Sequence, residues 1–153
     1  MSIDKTVQAV FDKAMYLIDA QNESTGATLT SDTQEYKVRT VGILNNLIDE
    51  VYPASDTFVH DGSGKRPALP DIVKFEDELD LDAKCVREIL PLGLAAELVK
   101  EESPANANYF RQRYEAALLR ALNSVPATFE SIDSDLGGAY GGIEHGEYGR
   151  WGY

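Results

Sequence analysis

The sequence predicts an all-α fold: four main helices in a small bundle, a long acidic loop between the second and third helices, and an extended Gly/Tyr-rich arm at the C-terminus. Three observations carry this prediction. Apolar residues recur at spacings of three and four in several windows, the stripe of an amphipathic helix. The run Ile89-Leu90-Pro91-Leu92-Gly93-Leu94-Ala95-Ala96-Glu97-Leu98-Val99 is apolar nearly all the way round, so it belongs between other helices rather than on one side of them. Polar stretches containing Pro and Gly separate these windows.

Residues 3–20 place Val7, Val10, Phe11, Ala14, Leu17 and Ile18 on one stripe, with Ser2 as a candidate N-cap. A polar link, Gln21 to Ser31, leads to a second helix whose start is marked by Ser31 or Asp32 with Gln34 or Glu35 three residues on. That helix carries Val41, Leu44, Leu47, Ile48 and Val51 inward and ends at Tyr52-Pro53, since a residue before proline is disfavoured in helical geometry. Two such helices joined by a short link form an antiparallel pair. Periodicity then disappears through residues 54–82: Asp61-Gly62-Ser63-Gly64 reads as a turn, and the acidic stretch Asp71 to Asp82 docks as a short helix or an extended strap.

The third helix runs from about Asp82 to Glu102 and is kinked or restarted at Pro91, which lacks the backbone donor and crowds the carbonyl one turn earlier. Ser103-Pro104 supplies a cap and a first-turn proline for the fourth helix, whose inward residues are Phe110, Tyr114, Ala117, Leu118 and Ala121. The expected structural core centres on Leu90, Pro91, Gly93, Leu94, Leu98, Phe110 and Tyr114. Residues 1–126 therefore read as one helical domain, and residues 127–153 as an arm that is flexible when unbound. In the arm, glycines alternate with Tyr140, Tyr148, Trp151 and Tyr153, a composition that builds no core but offers aromatic anchors to another surface.

Composition narrows the function classes. With 26 acidic and 14 basic side chains the formal charge is −12, which disfavours adhesion to nucleic acid phosphates or anionic lipid. The single cysteine, Cys85, excludes an intramolecular disulfide framework, and no apolar stretch approaches the ~18 residues of a membrane span. The N-terminus lacks the basic-then-apolar layout of a secretory signal, so the expected compartment is a reducing cytoplasm.

Motifs for catalysis or metal binding are missing from the pattern. His60 and His145 stand apart from each other and from Cys85, without metal-ligand spacing. The run Asp77-Glu78-Leu79-Asp80-Leu81-Asp82 lacks the alternating oxygens and glycine of a calcium loop and reads as a solvated, helix-capping face. Gly62-Ser63-Gly64-Lys65 lacks the earlier glycine and the hydroxyl residue of a phosphate loop and reads as a turn. Cys85 reads as an apolar filler. Arg111, Arg113 and Arg120 form a basic side on the fourth helix, expected to pair with carboxylates; Arg113 is also placed to stack on a ring or to fork onto a carboxylate across an interface. No enzyme, cofactor or metal site is expected.

The segments Leu90-Pro91-Leu92-Gly93-Leu94-Ala95-Ala96-Glu97-Leu98 and Ala107-Asn108-Tyr109-Phe110-Arg111-Gln112-Arg113-Tyr114-Glu115 resemble those of the helical head-tail connector (portal adaptor, head completion) proteins of tailed bacteriophages and prophages. Glu35-Tyr36-Lys37 and Ile43-Leu44-Asn45 extend the resemblance, which covers about residues 5–120; Leu92 stands where such sequences often carry an aromatic. The resemblance implies a virion neck protein, made in the host cytoplasm. Its copies would form a ring, twelvefold when assembled, beneath the portal protein and would prolong the DNA channel toward a downstream neck or tail protein. It implies that Tyr140, Tyr148, Trp151 and Tyr153, with Arg113, serve partner binding. DNA would pass without specific binding, no membrane would be involved, and residues 54–82 are the candidate for the acids lining the channel. A rival reading from the charge alone is an acidic DNA-mimic or other inhibitory binding protein of phage origin.

Overall fold

The computed structural model describes residues 2–18, 33–60 and 62–124. The chain divides into two units, Met1–Asn123 and Ser124–Tyr153, and all the elements below belong to the first. Among the described residues the chain forms four α-helices and no β-strand: α1 (Val7–Leu17), α2 (Gln34–Val51), α3 (Leu90–Val99) and α4 (Pro104–Asn123). A 3₁₀ turn, Tyr52–Ala54, follows α2, and a π-helical turn, Cys85–Ile89, precedes α3. The arm expected over residues 127–153, and the Ser31/Asp32 cap, lie outside the described residues.

Helix α3 is the axis of the bundle. Leu90 through Ala96, Leu98 and Val99 are all buried, and only Glu97 is partly exposed, so the helix has no solvent face. It packs against α1, α2 and α4. Burial on every side demands close backbone approach, which Gly93 provides. A Cβ on Gly93 would lie 3.0 Å from two ring carbons of Tyr114 and 3.1 Å from a methyl of Leu47. Leu94 is fully buried, and Leu98, Phe110 and Tyr114 are nearly so.

The expected break in the third helix sits one turn earlier than Pro91. The Leu90 amide donates to the Cys85 carbonyl five residues back, the hydrogen bond of a π turn. This wider turn accommodates the extra residue just where the proline ring would crowd a regular α-helix. Asp82 caps the segment rather than beginning the helix: its Oδ1 accepts from the Cys85 amide at 2.9 Å, and its Oδ2 from the Asp56 amide at 2.9 Å. The α-helix ends at Val99, short of the expected Glu102.

The start of α1 also differs from expectation. Thr6, not Ser2, is its N-cap: the hydroxyl accepts from the Ala9 amide at 3.2 Å and donates to Asp4 at 2.7 Å. The next two free amides of the helix are satisfied from a distant segment. Val7 N–H donates to the Asp77 carbonyl at 3.1 Å and Gln8 N–H to the Phe75 carbonyl at 3.0 Å, while Leu79 N–H returns to the Lys5 carbonyl at 2.9 Å. A helix N-terminus leaves four donors without intrahelical partners, and here the acidic segment supplies the acceptors. Val7, Val10, Phe11, Ala14 and Met15 then fill the core, whereas Leu17 and Ile18 are only partly buried.

Residues 71–82 are therefore an extended strap, one of the two forms expected. Ile72, Leu79 and Leu81 are buried, and Phe75 packs edge-on against Phe11 at 5.3 Å between ring centroids. Asn45 on α2 clamps the strap in both directions, its amide donating to the Ile72 carbonyl at 3.1 Å and its oxygen accepting from the Ile72 amide at 2.9 Å. Ser55 and Thr57 close the base: Ser55 Oγ accepts from the Asp82 amide at 3.0 Å, and Thr57 Oγ1 donates to the Asp80 carbonyl at 2.8 Å. At the end of α2, Tyr52 keeps helical geometry (φ −51°, ψ −44°) in spite of Pro53, and the chain tightens into a 3₁₀ turn instead of leaving the helix. Val41, expected inward on α2, is half-buried, and Tyr36 and Thr40 take the inward positions nearer the start of the helix.

Two substitutions separate packing from propensity. Gly93→Ala is expected to lower stability by about 1–3 kcal/mol because the Tyr114 ring has no room to retreat, whereas Gly42→Ala, with no atom within 4 Å of its Cβ, is expected to add about 0.5–1 kcal/mol. Urea denaturation of the two variants checks the opposite signs. Asn45→Ala is expected to cost about 1–3 kcal/mol, since it removes the partners of both the N–H and the C=O of Ile72, which are partly buried. Hydrogen exchange is then expected to accelerate in residues 71–79 while α3 stays protected.

Candidate functional site

A groove of roughly 790 Å³ lies between α1, the π turn and α4. Its apolar lining includes Leu17, Val86 and Leu92, and its rim carries Lys13, Lys84, Arg87 and Arg113. Four of the chain's 14 cations thus meet at one groove of a strongly acidic protein. The two carboxylates in the lining, Asp4 and Glu88, have other partners: Asp4 accepts from the Thr6 amide and hydroxyl, and Glu88 lies 3.7 Å from Arg120. Among the described residues, no carboxylate lies at ion-pairing distance from any of the four cations.

Arg113 and Leu17 also border a second groove of roughly 480 Å³, lined by Tyr36, Val99, Glu102, Tyr109 and Phe110 among others. The Arg113 guanidinium stands 5.6 Å from the Tyr109 ring centroid, and its Nη1 donates to the Tyr109 hydroxyl at 3.4 Å. The ring partner of Arg113 is thus Tyr109, one turn back on the exposed side of α4, while its sequence neighbours Phe110 and Tyr114 turn into the core. The other arginines of α4 form ion pairs: Arg111 with Glu97 and, at 4.0 Å, with Glu115; Arg120 with Glu88. Among the described residues, Arg113 is the member of the set without a carboxylate partner. The anchor residues Tyr140, Tyr148, Trp151 and Tyr153 lie outside the described residues.

Two phenols hold the bundle through carboxylates, a feature that sequence spacing alone did not signal. Tyr36 donates to Glu102, and Tyr114 donates to Glu50 at 2.7 Å. Burial, reinforced by the Glu102 carboxylate, pushes the Tyr36 phenol from an ordinary 10.0 to about 12, and burial with Glu50 raises Tyr114 as well. Both therefore remain neutral donors at physiological pH.

The remaining chemistry-bearing residues are absorbed by structure. Cys85 is fully buried, and desolvation followed by the Asp82 carboxylate pushes its thiol up to about 12, far from a nucleophile at neutral pH. Burial opposes the Asp82 charge, yet the amides of Cys85 and Asp56 outweigh it and lower the carboxyl below its usual range. Asp77 is likewise lowered by the Lys74 and Val73 amides, which close the turn of the strap. His60 is exposed and stacks edge-on to Phe58 at 5.1 Å. Gly62 and Gly64 have φ of 75° and 78°, values that favour glycine and that make the segment a turn. Among the described residues, no group of three or more His, Cys, Asp or Glu is placed to hold a metal, and no helix is long and apolar enough to cross a membrane.

Tyr36 yields a pH prediction. Because its pKa is raised on folding, the stability it contributes is complete below pH 10.0 and is lost as pH rises through about 12. The stability difference between the wild type and Tyr36→Phe is therefore expected to shrink over that window, as read by denaturant midpoints at each pH. Comparison of the chain with family models, curated proteins and solved structures found no match.

Proposed function

We propose that the chain is a structural subunit of a phage head-tail connector, assembling as a ring under the portal protein and extending the DNA channel toward the tail. The observation that carries this reading is the pairing of the two segments on which the resemblance rests. Residues 90–98 are the buried α3, and residues 107–115 are the part of α4 whose Tyr114 ring seats on Gly93. The motifs thus account for a helical scaffold and for no reaction. The absorbed state of Cys85, Asp77 and Asp82 supports a non-enzymatic role in the same sense, since each serves a cap or a core.

In this reading the partners are the portal protein, neighbouring copies, and a downstream neck or tail protein. Tyr140, Tyr148, Trp151 and Tyr153 supply aromatic anchors for the portal, with the ordering entropy of the glycine-rich segment offsetting part of the binding energy. Surplus carboxylates on the channel wall repel DNA phosphates within a Debye length of ~8 Å, so DNA passes without sticking.

Deletion of residues 136–153 tests the proposal. The truncated chain is expected to keep its helicity and melting temperature and to lose co-purification with the portal protein encoded in the same genome. Retained portal binding, or a genomic neighbourhood without portal, capsid and tail genes, would sink the reading.

A further inference from the structure

We infer that the basic groove beside α1 receives the acidic strap of a second copy of this chain, so that copies join head to tail through these two surfaces. The inference rests on the ring reading above and names the contact that would build the ring.

Three features lead to it. The groove carries Lys13, Lys84, Arg87 and Arg113 on its rim, all exposed and none at ion-pairing distance from a carboxylate among the described residues. In a chain of net charge −12, such a concentration of cations has a cost in self-repulsion that an anionic surface relieves. Residues 76–81 of the strap present the complement. Leu79 and Leu81 turn into the core, so the alternate residues Glu78 and Asp80 face outward, and Glu76, in the turn before them, is exposed as well. Two residues of extended chain separate Glu78 from Asp80 by roughly 6.6 Å, since such a chain rises about 3.3 Å per residue. Val73, at 73% exposure, adds an apolar contact beside the row to meet the half-buried Leu17 of the groove.

Groove and strap are two different surfaces of one chain. When each pair of copies makes the contact once, it is heterologous: each addition leaves one free groove and one free strap, and the series closes into a ring when the rotation per copy permits.

A reciprocal charge exchange on the full chain tests this. Sedimentation velocity at high protein concentration and low ionic strength is expected to show species larger than a monomer, dissociating as salt shortens the Debye length toward ~3 Å. Lys84→Glu with Arg87→Glu, or Glu76→Lys with Glu78→Lys, is expected to weaken association about tenfold or more. Mixing the two doubly substituted proteins is expected to restore assembly in which the two alternate, with circular dichroism verifying that each is folded. A wild type that stays monomeric at every concentration overturns the inference, as does undiminished assembly of either variant or no rescue on mixing. Portal co-purification of the same samples is scored separately. Its failure with charge-dependent self-association intact overturns the connector reading alone.

Discussion

Where α4 crosses α3, the Tyr114 ring occupies the space that a side chain on Gly93 would fill, and much of the bundle is arranged to keep it there. The ring is held at both ends: its carbons lie against Gly93 and Leu47, and its hydroxyl is tied to Glu50 on α2. One aromatic residue therefore fixes the spacing of three helices. Because α3 buries almost every residue, it cannot slide or rotate to relieve a misfit, and close packing transmits any change at this crossing to its neighbours.

The helices were legible because their apolar spacing is local information. Val7, Val10, Phe11 and Ala14 declare α1, and Ser103-Pro104 declares the start of α4, without reference to anything else in the chain. What escaped local reading depends on partners remote in sequence. Ser2 and Thr6 are both plausible caps by type; Thr6 takes the position because Asp4 orients it and because carbonyls of Phe75 and Asp77 stand ready for the next two amides. The strap shows alternation only over Glu78-Leu79-Asp80-Leu81, too short to outweigh its acidic composition. Its attachments to α2, the Asn45 amide and the Lys37 ammonium over the Phe75 ring, have no signature in spacing. The basic groove was the least legible feature. Its four cations come from α1, the π turn region and α4, and each alone looks like an ordinary surface charge.

Charge in this protein is better described by location than by total. Several acids of the central run are spent on backbone amides: Asp77 closes the strap turn, and Asp82 joins the base of the strap to the π turn. Glu50 and Glu102 accept from buried phenols, and Glu97 and Glu88 hold arginines of α4. Asp71, Glu76, Glu78 and Asp80 remain outward on the strap. A negative total thus coexists with one cationic concavity, and the total alone is a poor guide to which surface meets which partner.

The strap also imposes an order on folding. Helix α1 is synthesised early, yet the acceptors for the Val7 and Gln8 amides reside in Asp77 and Phe75. Until those residues have been made and folded back, the first helix has frayed donors and an uncovered Phe11, whose stacking partner Phe75 arrives with the same segment. Loop-closure entropy is paid across most of the first half of the chain before this contact returns anything, which favours late docking of the strap. Newly made chains would therefore acquire their acidic outward row only after the helical core exists, so a surface built on the strap becomes available last.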